Sequence, residues 1–113
     1  MSEDCLFCRI VSGEIPAQVV AQDELTLAFE DLNPRAPVHV LVIPKQHIAD
    51  IRDQWPAGLL DAIFAMANRV ADEREVAEKG YRTVFNFGRD AGQTVLHAHL
   101  HVLGGRAMGW PPG

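Results

Sequence analysis

Two periods organise the apolar positions of this chain, and they predict its elements. Leu60, Ile63, Phe64, Ala67, Val70 and Ala71 recur at i, i+3, i+4 and i+7, which gives a long helix one apolar face. Pro56 suits the start of that helix and Gly80 its C-terminal cap. Residues 81–87 alternate and are rich in β-formers, so they predict a strand; residues 19–21, 25–30 and 38–43 also read as strands. Gln22-Asp23-Glu24 is the turn between the first two, and Pro44 ends the third. A short helix is expected over residues 6–12, stopped by Gly13 and Pro16. The proline-rich stretch 33–37 and the stretch 88–94, with two glycines, read as loops. Residues 95–103 predict a last strand, and the tail 104–113, with Trp110 and two prolines, is expected to be irregular. No repeat, linker or low-complexity tract divides the chain, so residues 1–113 read as one domain. Strands joined mostly by short turns, with one long helix, predict an α+β fold whose sheet is largely antiparallel and covered by the helix on one face.

Composition narrows the function classes. A chain of 113 residues can bury one core but not two. Its formal net charge of -5 argues against general binding to nucleic-acid backbones, which needs clustered Lys and Arg. A small phosphate ligand held by local groups remains compatible. No apolar run approaches the roughly 18 residues that span a bilayer. The acidic start Met1-Ser2-Glu3-Asp4 lacks the basic and apolar regions of a signal peptide. A cytoplasmic protein without a membrane partner is therefore expected. In a reducing compartment Cys5 and Cys8 disfavour a disulfide, which leaves a metal site or plain thiols.

The chemistry concentrates in His97-Ala98-His99-Leu100-His101-Val102-Leu103. On a strand the three imidazoles project from one face while Ala98, Leu100 and Val102 point to the other. Residues two apart lie about 6.7 Å apart along a strand, so His97 and His101 are separated by about 13 Å. One ion cannot bind all three, and at least one histidine has a different task. Three titratable rings in strict alternation favour catalysis or metal binding over a merely solvated face. The preceding loop, Gly88-Arg89-Asp90-Ala91-Gly92-Gln93-Thr94, offers backbone N–H groups and a hydroxyl that suit an anion. A neutral imidazole beside such a loop can attack phosphorus if one ring nitrogen is protonated and held by an acceptor. Activity is then expected to fall on the acid side, as the attacking ring protonates.

These residues resemble the signature of the histidine triad nucleotide hydrolases. The likeness extends to Asp4-Cys5-Leu6-Phe7-Cys8-Arg9-Ile10, to the stretch from Ala36-Pro37-Val38-His39 through Pro44-Lys45, to Gly104-Gly105-Arg106 and to Trp110-Pro111-Pro112-Gly113, which match its nucleoside phosphoramidase branch. The resemblance implies a five-stranded antiparallel sheet with helices, paired into a homodimer with a continuous ten-stranded sheet. It implies hydrolysis of purine nucleoside 5′-phosphoramidates. His99 would be the nucleophile, His101 and Thr94 would hold phosphate oxygens, and His39 would lie near the leaving group. Asn86, Gly92 and Gln93 would line the phosphate site. Asp31 would bind the ribose hydroxyls, a role that suits a carboxylate facing a diol. Phe7, Ile10, Phe29, Leu32 and Leu41 match the apolar base pocket, and Trp110 matches a tail residue that reaches toward the partner's active site. Glu30 departs from a vertebrate-like pattern that has histidine there, and His101 departs from the transferase branch, where glutamine is typical. Competing classes are a dinucleoside polyphosphate hydrolase, a hydrolase using zinc-activated water, and a nucleotide-binding scaffold with incidental hydrolysis.

Cys5-x-x-Cys8 lets two sulfurs grip one tetrahedral ion, whereas a redox pair normally needs the strand–helix setting of a thioredoxin-like unit. His47 and one histidine of the row are available as further ligands. The family resemblance implies a structural zinc held by Cys5, Cys8, His47 and His97.

Overall fold

The computed structural model describes residues 4–113; the acidic opening residues 1–3 lie outside that range. Its strands are β1 (Val19–Gln22), β2 (Thr26–Glu30), β3 (Val38–Pro44), β4 (Tyr81–Val84) and β5 (Leu100–Gly104). They form one sheet in the order β1-β2-β3-β5-β4, antiparallel at every pairing. Helices α1 (Leu6–Val11) and α2 (Leu59–Glu73) cover its two faces, giving the α+β architecture that the periodicities predict. No helix among the described residues is long and apolar enough to cross a membrane.

The unbroken apolar run in β3 follows from its central place. Val40 and Val42 pack with Ile63, Met66 and Val70 of α2, while Leu41 and Ile43 pack with Phe7 of α1. Period-2 alternation thus feeds two cores from one strand. Strand β2 does the same, with Ala28 on the α2 side and Leu27 and Phe29 on the α1 side. The turn falls at residues 23–25, one residue later than expected because Gln22 joins β1, and it closes through Asp23, whose Oδ1 accepts from the N–H groups of Leu25 and Thr26 at 2.9 and 2.8 Å.

Several elements differ in extent from the sequence pattern. Strand β5 begins at Leu100 instead of residue 95. The next ladder positions after Val42↔Leu100 would reach Pro44, which has no N–H to donate, and the Ala98 N–H donates instead to the Ile48 carbonyl at 2.6 Å. Strand β4 stops at Val84, opposite His101, and Phe85 leaves the ladder to pack against Trp55 and Phe64. Gly104 belongs to β5, so the irregular tail starts one residue later than predicted.

Helix α2 begins at Leu59, beyond Pro56, and ends at Glu73, seven residues before Gly80. Glu75 turns left-handed at φ 60°. Val76 N–H reaches the Ala71 carbonyl at 3.0 Å and Glu75 N–H reaches that of Asp72 at 3.2 Å, the hydrogen-bond pair of a Schellman ending. Burial of Val76 against Gly104 fixes this ending: a Cβ on Gly104 would stand 2.9 Å from the Val76 Cβ. The exposed Glu75 therefore holds a backbone conformation that glycine adopts without strain. Glu75→Gly is expected to raise unfolding stability by about 0.5–1 kcal/mol in urea titrations, whereas a loss of stability would show that the side chain itself holds the turn.

Candidate active site

The α1 face of the sheet carries the functional groups. His39 and Leu41 lie on β3, His101 on β5, Phe29 on β2, and Phe7 on α1. His97 and His99 precede β5, so they do not form a strand row with His101. The face alternation survives all the same: Ala98, Leu100 and Val102 are buried in the opposite clusters, and the ring of Phe7 meets His97 and His99 edge-on at 5.9 and 5.1 Å. The His99 and His101 rings lie 5.0 Å apart, while His97 turns toward His47.

Backbone groups set the tautomers. The His99 Nδ1 is 2.8 Å from the His97 carbonyl, which can only accept, so Nδ1 carries the proton and Nε2 keeps a lone pair. The Arg35 N–H donates to His39 Nδ1 at 3.0 Å. In the neutral ring the proton must then sit on His39 Nε2, which donates to His101 Nδ1 at 2.9 Å. His101 is left with an Nε2–H available as a donor. Asp31 Oδ2 lies 3.3 Å from His39 Nε2, and its Oδ1 accepts from the Asn33 N–H at 2.8 Å. Although Asp31, His39 and His101 converge within 4.8 Å, His39 presents a proton there and not a lone pair, which makes the trio a hydrogen-bond relay.

Burial keeps these rings neutral. Desolvation, then the neighbouring His99 and His39, lowers His101 to about 4. Desolvation also lowers His99 and His39, against the opposing pull of the His97 carbonyl on the first and of Asp31 on the second. For His101 the unfolded chain binds the extra proton between its ordinary value of 6.5 and about 4, so stability is full above 6.5 and declines across that window. Proton NMR is expected to show His101 neutral down to pH 5, with a melting temperature that falls as the pH drops from 6.5 toward 4. A midpoint near 6.5 would overturn this assignment.

A cavity of about 300 Å³ opens beside the rings. Phe7, Ile10, Phe29 and Leu41 form an apolar end; Asp31, Asn86, Gly92, Thr94, His99 and His101 line the rest, and Leu32 stands exposed on its rim. Such a mixed, concave site suits a flat apolar ring joined to polar groups. Gln93 is placed differently from the expectation. Its side-chain amide donates to the carbonyls of Ala49 and Val95 at 3.1 and 3.2 Å and accepts from Gly88 N–H at 3.1 Å, so it ties the loop together and is not on the cavity wall. The Gly92 N–H is likewise used within the loop, donating to the Arg89 carbonyl at 3.0 Å. Ile15, Pro16, Ala17 and Val95 also line the cavity, and no chemical signal in the sequence marked them.

Cys5, Cys8, His47 and His97 offer ligand atoms that all lie within 4.8 Å of one another, close enough to bind one metal ion. His97 Nε2 donates to the Pro44 carbonyl at 2.8 Å, which leaves the Nδ1 lone pair facing Cys5 Sγ at 3.3 Å and Cys8 Sγ at 3.6 Å. Cys8 Sγ is 3.3 Å from His47 Nδ1. A tetrahedral ion with ordinary Zn–S and Zn–N bonds sets sulfur and nitrogen about 3.6 Å apart, so the donor set fits such an ion. Cys5 also caps α1 by accepting the Cys8 N–H at 3.3 Å, which places the candidate metal site at the base of the helix that carries Phe7.

Residues 12–108 match the family described as HIT domain. The chain belongs to that family. It is 40% identical over 111 residues to the purine nucleoside phosphoramidase of Escherichia coli K12, covering 96% of this chain and 93% of that protein. Among solved structures it is similar to a HIT family hydrolase from Legionella pneumophila, with a TM-score of 0.94 and 52% identity over 97% of this chain and 100% of the other. A HIT family hydrolase from Clostridium thermocellum gives 0.93 and 48%, covering 96% of both chains.

Proposed function

We propose that this protein hydrolyses purine nucleoside 5′-phosphoramidates through a nucleotidyl-histidine intermediate on His99. The observation that carries the reading is the His99 ring, fixed by the His97 carbonyl with its Nε2 lone pair free, beside a cavity of nucleoside size. The named activity of the Escherichia coli relative supports the substrate class.

The base occupies the apolar end between Phe7, Ile10, Phe29 and Leu41, and Asp31 accepts hydrogen bonds from the ribose diol. The His101 Nε2–H donates to a phosphate oxygen, as does the Thr94 hydroxyl; Asn86 lines the same region. Nε2 of His99 attacks phosphorus, a P–N bond to the ring forms and the bond to the leaving nitrogen breaks. The leaving nitrogen takes a proton from solvent and departs as an amine. Water then attacks phosphorus, the bond to His99 breaks, the nucleoside monophosphate is released, and the water's spare proton returns to solvent. The relay through His39 holds His101 in its donating tautomer throughout.

Cys5, Cys8, His47 and His97 would hold zinc in this reading. Four protein ligands complete a tetrahedron, so the ion supplies structure and has no open position for water. The protein is further proposed to be a homodimer joined along β4, an edge strand with no bulge to blunt it, whereas β1 at the other edge carries a register shift.

Acid quenching during turnover of an adenosine phosphoramidate is expected to trap one adenylate per chain, which peptide mass spectrometry should locate on His99. Steady turnover with no trapped adduct would eliminate the covalent mechanism.

A further inference from the structure

A second cavity, of about 690 Å³, meets the first at His101 and Asn86, which line both. His99 lines only the first. Given the proposed function, on which this inference rests, a phosphorus atom between His99 and His101 directs its nucleoside into the first cavity. In-line displacement sets the leaving group away from the nucleophile, and the space on the far side of His101 is the second cavity.

The lining of that space is cationic. Arg35, Arg82 and Arg106 converge on it in a chain whose net charge is -5. None of the three forms an ion pair among the described residues. Arg82 donates to the Gly109 carbonyl at 2.9 Å and lies over the Trp110 ring at 5.8 Å. Arg106 donates to the carbonyls of Arg35 and Ala107 at 2.9 and 3.1 Å. These contacts orient two of the guanidinium groups without neutralising them. Asp90, the acidic side chain of the lining, is paired with Arg89 at 3.3 Å.

We propose that this compartment selects an anionic leaving group: an amine that carries a carboxylate or a phosphate. A guanidinium binds either anion through charge-assisted hydrogen bonds, and solvent screening at the exposed Arg35 and Arg106 limits the gain to about tenfold. The reaction itself is unchanged. The P–N bond breaks, the amine leaves with its proton from solvent, and the arginines act only on the distal charge.

The test compares adenosine 5′-phosphoramidates of β-alanine, of β-alaninamide and of 2-aminoethyl phosphate on the purified protein. The acid is expected to show a kcat/KM about tenfold above that of the neutral amide at low ionic strength, narrowing toward equality in strong salt. The Arg82→Gln/Arg106→Gln variant should lose most of the preference and still turn over the amide at the wild-type rate. Whichever of the two anionic substrates is faster identifies carboxylate or phosphate as the distal group. Equal kcat/KM for acid and amide in the wild type, or a preference that survives undiminished in the Arg82→Gln/Arg106→Gln variant, overturns the compartment while amide turnover leaves the proposed function standing. Absence of turnover for all three would instead sink the function. The compartment is then judged by binding to the His99→Asn variant: a Kd about tenfold lower for the acid supports it, and equal values overturn it.

Discussion

Replacing His99 with asparagine is expected to lower turnover of an adenosine phosphoramidate by at least about 10⁴-fold, because the variant has no lone pair to form the covalent adduct. Asparagine is the informative substitution. Its side-chain N–H can still donate to the His97 carbonyl, now 2.8 Å from the His99 ring, so the local backbone keeps its partner. The melting temperature should therefore stay close to that of the wild type, and nucleotide should still bind. Loss of one donor to the phosphate, by comparison, costs about 10²–10³-fold. A variant that retains more than a hundredth of wild-type turnover would demote His99 to such a donor and require another nucleophile.

Removing the thiols should do the opposite, with a large effect on the fold. Cys5→Ser and Cys8→Ser each replace a soft thiolate ligand with a hydroxyl that binds zinc poorly. Four protein ligands make such an ion part of the folding free energy. Wild-type protein purified without chelator is expected to carry about one zinc per chain by elemental mass spectrometry, and either variant close to none. Unfolding should become easier by about 3 kcal/mol, a drop of roughly 10 °C or more in melting temperature for a domain of this size. The loss should be felt first at α1, six residues long and too short to persist alone. A metal-free wild type whose melting temperature is indifferent to both substitutions and to chelators would refute the site.

Most of this architecture is legible in the side-chain pattern, because the two periods report burial directly. Val40 and Val42 against Leu41 and Ile43 announce two covered faces; along α2 the pattern finds Ile63, Ala67, Val70 and Ala71, but it misses the buried Leu59 and Met66 and includes Phe64, which is exposed. What the pattern conceals is set by the main chain. The early end of α2 depends on Glu75 turning left-handed so that Val76 can bury, and a glutamate gives no hint of that. The late start of β5 depends on a missing N–H at Pro44, on a different strand. At the site, spacing alone separates His97 from His101, but the tautomers depend on the His97 carbonyl, the Arg35 N–H and the Pro44 carbonyl, none of which has a sequence signature. The resemblance puts Gln93 at the phosphate site, and nothing in its position announces that its side-chain amide braces the loop.

His97 serves two sites with two different parts of itself: its ring faces the cysteines, and its carbonyl holds the His99 proton. The distinction has a genetic consequence. A codon change at position 97 can delete the ring, but no codon change can delete the carbonyl. The same holds for the Arg35 N–H, which every replacement except proline retains. The orientation of the His39 and His99 rings is thus insulated from most point mutations at the positions that enforce it, and drift should erode the candidate metal site in descendants of this chain before it disturbs the protonation pattern of the histidines.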